Sequence, residues 1–156
     1  MPHDFSDLFR PQVIAVVGAS DRYGSAGRKV FARLAAERAA PLVLPVNSRH
    51  KTVGACKAYP DLAAACAEHG WYASIAGPLT YPANDSLREA VAALPDELLL
   101  VETDAPYLPP RRWRGRPNAS YLLGDTVRFL AEQRGLSEED LCRRLQATTE
   151  AVYGSW

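Results

Sequence analysis

The chain has 156 residues, with 18 Lys plus Arg against 18 Asp plus Glu, and hence a formal net charge of zero. That length is enough to bury one core of ordinary size, and the balanced charge excludes bulk electrostatic attraction as a basis for binding polyanions. There is no apolar run near the roughly 18 residues of a membrane span, the first ten residues carry Asp4 and Asp7, and Cys56, Cys66 and Cys142 form no C-x-x-C pair, all of which points to a reduced cytoplasmic protein with no membrane partner.

Residues 13–17 are a continuous apolar run ended by Gly18, the pattern of a parallel strand buried on both faces. A glycine-rich turn follows and opens a helix predicted over residues 25–38, with Val30, Phe31, Leu34 and Ala35 on one face and Lys29, Arg33 and Glu37 opposite. Pro41 breaks the pattern. Residues 42–46 supply a second strand, in which Pro45 is tolerable only near a sheet edge, and residues 47–57 read as a connecting loop. Pro60 and Asp61 introduce a helix over residues 62–69 that Gly70 ends.

Residues 71–77 read as a third strand. Asn84, Asp85 and Ser86 can cap a helix through Leu87, Val91 and Leu94, and residues 98–102 form a fourth strand. A long Pro- and Arg-rich loop reaches Asn118, a helix runs from about 121 to 134, and Ser137 to Asp140 make a capping box for a last helix with Leu141, Leu145 and Val152 on its buried face. This alternation predicts one α/β domain over residues 1–156: a three-layer, flavodoxin- or Rossmann-like parallel sheet of about four strands in the order 2-1-3-4, with helices on both faces and an extra carboxyl-terminal helix. Ligands of such sheets bind at the switch point beyond the carboxyl ends of the strands.

The turn after the first strand has the makings of a phosphate cradle, with backbone N–H groups converging at a helix amino terminus. Gly18 allows a sharp exit from the strand, Gly24 and Ser25 stand at the helix start, Gly27 permits close helix packing, and Arg28 adds charge. The spacing is not G-x-G-x-x-G, and a purely steric role for the glycines is the competing reading. Residues 8–11, 13–21, 24–28, 44–47 and 58–62 together resemble the first half of the CoA-binding domain of ADP-forming acyl-CoA synthetases and related protein acetyltransferases. That resemblance implies a Rossmann-like half over residues 1–65 and assigns CoA, or a related nucleotide diphosphate, to Gly18, Ser20, Gly24, Ser25 and Arg28.

Residues 70–77, 87–89, 99–108, 114–118 and 148–154, with Glu102-Thr103-Asp104-Ala105-Pro106 at their centre, are similar to the carboxyl-terminal quarter of TatD-type metal-dependent hydrolases and DNases, a TIM-barrel family. The resemblance covers residues 66–156 and implies that Asp104 matches a metal-binding aspartate at the top of the last barrel strand. The family's other ligands, a His-x-His, a glutamate and two histidines, lie on strands without counterpart among these residues, and the chain has three histidines, His3, His50 and His69. A hydrolytic metal needs three or four converging ligands, so on this reading a divalent metal and retained hydrolysis are disfavoured. Glu102 and Asp104, two apart on a strand, are a candidate acid/base pair or remnants in a surface cleft.

Arg111, Arg112, Arg114 and Arg116 flank Trp113 and read either as a phosphate-contacting loop or as a solvated surface. Trp71, Trp113 and Trp156 read as packing residues. The two resemblances meet in the helix at 62–69, and a recombined, engineered α/β chimera is the simplest account. The leading expectation is weak recognition of a small anionic ligand, CoA or a nucleotide diphosphate, without catalysis and without nucleic acid. A ligand-free structural chimera competes with it, as does a TatD-like hydrolase needing ligands from elsewhere, and open sheet edges leave room for a homodimer.

Overall fold

A computed structural model of the chain describes residues 11–36 and 42–155. The chain splits into two compact units, Met1–Ala65 and Cys66–Trp156. In the first unit, β1 (Val13–Val17) pairs in parallel with β2 (Leu42–Val46), in register from Val13 opposite Leu42 to Val17 opposite Val46. Between them lies α1 (Ala26–Ala35), capped by the Ser25 hydroxyl, which accepts from the Arg28 N–H at 3.2 Å. The helix was expected to reach residue 38; Ala36 is its C-cap, and Glu37, Arg38 and Pro41 lie outside the described residues.

Phe31 of α1 packs with Val16, Ala19, Val43, Val53 and Ala58 to form this unit's core, and Ile14 and Leu34 pack against it. Pro45 is buried in β2, and its carbonyl accepts from the Tyr59 N–H at 2.9 Å where a single parallel bridge joins Val46 to Tyr59. The missing Pro45 N–H therefore falls on the side of β2 that carries one bridge, not a full ladder. The expected loop at 47–57 holds a small antiparallel hairpin, β3 (Thr52–Val53) and β4 (Cys56–Lys57). Its turn residues Gly54 and Ala55 both have positive φ, 55° and 65°, as a two-residue turn that matches strand twist demands.

The next helix, α2 (Leu62–His69), begins where Asp61 stands as a cap, its carboxylate accepting from the Ala64 N–H at 2.8 Å. In the second unit, β5 (Ala73–Ile75) pairs in parallel with β6 (Leu99–Val101). The connection between them carries α3 (Asp85–Ala92), and β6 is followed by α4 (Leu123–Arg134) and α5 (Glu138–Tyr153), which pack on each other and on β6. Leu79, Leu99, Leu130 and Leu141 are its largest fully buried residues. Arg134 ties α4 to the last turn of α3 and the segment after it by donating to the Val91 and Leu94 carbonyls at 2.8 and 2.9 Å and by pairing with Asp96.

The single four-stranded 2-1-3-4 sheet is not what forms. Among the described residues the strands make three separate two-stranded pairings, β1–β2, β3–β4 and β5–β6. The physical reason lies at the strand ends. The Trp71 N–H turns back to the Cys66 carbonyl at 2.9 Å, and Gly77–Thr80 form a 3-10 turn with Pro78 in its first turn, leaving three residues of β5 free to pair. Among the described residues, no helix is long and apolar enough to cross a membrane.

Candidate functional site

The ladder of β5 and β6 runs one residue past β6, where the Glu102 N–H donates to the Ile75 carbonyl at 3.0 Å. The chain then turns. Asp104 has φ 57°, its carbonyl accepts from the Tyr107 N–H at 2.8 Å, and its side chain is exposed, with no hydrogen bond or ion pair to any described residue. Extended geometry has lapsed between Glu102 and Asp104, so the shared strand face expected for an acid/base pair does not exist.

One buried side chain holds this turn. Asn118, 5% exposed, donates through Nδ2 to the Tyr107 carbonyl at 2.7 Å and to the Thr103 carbonyl, and its backbone N–H donates to the Pro106 carbonyl at 2.9 Å. Its Oδ1 accepts from the Ala119 N–H at 2.9 Å, so both polar atoms of its side chain are used. Sequence reading quoted Asn118 within a motif but assigned it no role, because its partners are carbonyls whose direction depends on how the loop folds. The loop is braced again at Gly77, where a Cβ would stand 2.5 Å from the Leu108 carbonyl oxygen, and at Tyr81, whose hydroxyl donates to the Pro109 carbonyl at 2.9 Å.

The arginine-rich segment continues from this loop. Arg112 and Arg116 lie over the Trp113 ring at 5.4 and 5.8 Å from its centroid, Arg114 lies over the Tyr81 ring at 4.8 Å, and the Trp113 indole N–H donates to Asp125. Trp113 is thus neither simple core nor bare surface. Trp71 stacks on His69 with ring centroids 4.9 Å apart, and Trp156 lies outside the described residues.

A metal centre is not complete here. Among the described residues no three His, Cys, Asp or Glu side chains converge. His69 is engaged with Trp71, His50 is exposed on another loop, and His3 lies outside the described residues. Asp104 is an accessible hard-oxygen donor and suits one ligand position only.

At the glycine-rich turn, Gly18 and Gly24 do adopt positive φ, 81° and 76°. The polar groups expected to meet a diphosphate are turned inward instead. Ser20 Oγ accepts from the Arg22 N–H at 3.0 Å, Ser25 Oγ donates to the Arg22 carbonyl at 2.8 Å while capping α1, and Arg28 donates to the Asp21 carbonyl at 3.1 Å. The Asp21 carboxylate in turn accepts from the Gly54 N–H at 3.0 Å, tying the loop to the unforeseen hairpin. A cleft lies beyond the carboxyl ends of β1 and β2, but of the five expected contacts only Gly18 lines it. Gly27 plays the steric part: a Cβ there would sit 1.9 Å from the Gly18 carbonyl oxygen.

The family model for TatD related DNase matches residues 30–154. The chain belongs to the TatD family. Over 93 residues it is 41% identical to the metal-dependent hydrolase TatD of Mycobacterium tuberculosis, a stretch covering 60% of this chain and 35% of that protein. It is 37% identical over 81 residues to the metal-dependent hydrolase YcfH of Escherichia coli, covering 52% and 29% of the two chains. A 3'-5' ssDNA/RNA exonuclease TatD of Pantoea vagans is 39% identical over 71 residues, covering 43% and 27%. The chain thus spans about a third of the length of the curated relatives it matches. The crystal structure of the TatD homologue YjjV of Escherichia coli superposes with TM-score 0.55 and 23% identity, covering 73% of this chain and 50% of that one.

TatD membership overturns several expectations. The fold class is that of the TatD-type barrel and not a doubly wound Rossmann sheet; alternating strands and helices read alike in both, and only strand pairing separates them. The family match spans the supposed junction at 62–69, so one family accounts for residues on both sides of it and the engineered chimera is withdrawn. CoA is withdrawn as a ligand, since the family that matches the chain and its relatives is one of metal-dependent hydrolases. The expectation of a domain without metal and without catalysis is withdrawn as well, because the relatives carry the name of uncharacterized metal-dependent hydrolases.

Proposed function

We propose that this chain is part of a TatD-type metal-dependent hydrolase of phosphoester bonds, to which it contributes the Asp104 carboxylate while the remaining metal ligands come from outside these residues. The observation that carries the reading is the placement of Asp104: an exposed carboxylate without a protein partner, directly beyond β6, on a turn that a buried Asn118 holds in shape. A carboxylate kept open to solvent on a turn whose backbone is held in shape is what a metal ligand requires before the metal arrives. The bound metal would supply Lewis acidity and an activated water. This chain's own part is to hold Asp104, through the three bonds that Asn118 donates to the turn, and to present it at the rim of the β5–β6 pair.

The test is complementation. The chain is mixed with the portion of a TatD relative that its match leaves uncovered, and Mn²⁺-dependent hydrolysis of a phosphodiester is followed. Activity on mixing that Asp104→Asn removes is the expected result; activity that survives the substitution overturns the role of Asp104.

A further inference from the structure

Arg88 of α3 spends its charge on main chain more than on an ion pair. Its side chain is 15% exposed, whereas Asp85, its partner carboxylate, is 82% exposed and adds little. Nη1 donates to the Leu79 carbonyl at 3.2 Å and to the Tyr81 carbonyl at 2.5 Å, and Nη2 donates to the Pro82 carbonyl at 2.9 Å and to Asp85. Four of the five N–H donors of the guanidinium are thereby used, three of them on one stretch of backbone. That stretch ends the 3-10 turn Gly77–Thr80 after β5, where a helical turn leaves carbonyls without N–H partners of its own. The two carbonyls that Nη1 holds bracket the residues that reach across to the Asp104 loop. Thr80 is 8% exposed, and its hydroxyl donates to the Gly77 carbonyl at 2.7 Å and accepts from the Arg111 N–H at 2.7 Å. The Tyr81 hydroxyl donates to the Pro109 carbonyl, and Gly77 lies so near Leu108 and Pro110 that no Cβ fits. Asn118 ties Thr103, Pro106 and Tyr107 from the other side. Both halves of the loop that carries Asp104 are therefore gripped, the second of them by a segment that Arg88 holds in place.

We infer that Arg88 and Thr80 are positioning residues for Asp104: Arg88 fixes the loop after β5, and the Thr80 hydroxyl passes that constraint to Arg111 and so to the turn that presents the carboxylate. The inference rests on the hydrolase reading for what Asp104 binds. The Asp104 side chain makes no hydrogen bond or ion pair to any described residue, so the backbone of its turn alone limits where it points. A ligand whose backbone wanders loses metal affinity, and partners that orient a ligand are typically worth about 10–100-fold in affinity or activity. Lysine is no substitute at position 88, because its donors sit on one nitrogen and cannot reproduce a planar fork that donates from two.

The experiment is amide hydrogen exchange of the whole metal-free chain, native against Arg88→Gln and Arg88→Lys. The Tyr107 and Arg111 N–H groups bond to the Asp104 carbonyl and to Thr80 Oγ1, and their exchange should quicken at least about tenfold in both variants, while Leu130 in the core of α4 changes by less than about twofold. Native exchange at Tyr107, or equal acceleration at Leu130, overturns the inference. In the complemented mixture, Arg88→Gln should raise the Mn²⁺ concentration for half-maximal hydrolysis about tenfold and keep the rate at saturating Mn²⁺ within about twofold. Loss of folded chain would lower the saturating rate instead. Should the Arg88 variants fail to fold, Thr80→Val and Thr80→Ser decide: Val should quicken exchange at Tyr107, and Ser, which keeps the hydroxyl, should restore the native rate. Equal rates in the two overturn the link through Thr80. No hydrolysis by the native mixture sinks the hydrolase reading and leaves exchange to judge the coupling, whereas hydrolysis with a native Mn²⁺ requirement in Arg88→Gln sinks the positioning role alone.

Discussion

Asn118 shows how much one buried amide can decide. Truncation to Ala would leave the Thr103 and Tyr107 carbonyls without their donor and remove the acceptor of the Ala119 N–H, in a site that is 5% exposed. The expected cost is about 2–3 kcal/mol, read by urea denaturation of Asn118→Ala against the native chain. Asp104 is the opposite case. It is exposed and unpartnered among the described residues, and Asn tolerates the same left-handed φ of 57°, so Asp104→Asn should change stability by less than about 0.5 kcal/mol. The same substitution should lower complemented hydrolysis by more than about 100-fold. A substitution that moves activity and not stability marks a ligand and not a structural residue.

At the level of elements, the capping box of α5 is realised in an altered form. Ser137 Oγ accepts from the Asp140 N–H at 3.0 Å as expected, but Asp140 is too short to reach back to the Ser137 N–H, and its carboxylate accepts from the Ser137 hydroxyl at 2.7 Å instead. That hydroxyl, and then Arg143, hold the Asp140 carboxyl below its ordinary range. A depressed carboxyl stabilises the fold above its unfolded-state value, and the effect is lost as pH falls through the folded value. Helicity of α5, followed by circular dichroism, should therefore begin to fall below about pH 4, and Ser137→Ala should cost about 1 kcal/mol at neutral pH and diminish that acid step, leaving the part that Arg143 contributes. In α1 the contact between Gly27 and the Gly18 carbonyl leaves no room for a methyl group. Gly27→Ala should destabilise its unit by about 1–3 kcal/mol, read by hydrogen exchange of the β1 and β2 amides.

For the molecule as a whole, the second unit gathers the features that matter for chemistry. Its two strands place the ends of β5 and β6 side by side, and the loops that leave those ends are braced on each other through Gly77, Thr80 and Tyr81, with the Arg111 N–H donating to Thr80 Oγ1 at 2.7 Å. In TatD-type barrels, as in barrels generally, the carboxyl ends of strands carry the site, and here Asp104 leaves just such an end. Leu99 of β6 is fully buried beneath it. Leu99→Ala should cost about 2–5 kcal/mol in the unfolding of this unit, by lost burial and the cavity left behind.

Most elements were legible from local chemistry. Proline and glycine punctuate the chain, Ser25, Asp61 and Ser137 cap helices, and leucine spacing marks the buried face of α5; these act within a few residues and leave their signature in the sequence. The proposed role of Asp104 rests on a short contiguous motif, which is likewise local. What the sequence could not carry was anything set by partners far along the chain. The hairpin at Gly54 depends on Asp21 and Phe31, the inward turning of Ser25 and Arg28 depends on the shape of their loop, and the role of Asn118 depends on carbonyls brought round by a turn. Strand order is the extreme instance. A βα repeat has the same period in a barrel and in a doubly wound sheet, and the parallel pairs β1–β2 and β5–β6 occur in either, so no local pattern records the choice between them, and only the tertiary structure, compared as a whole with a TatD-type barrel, decided it.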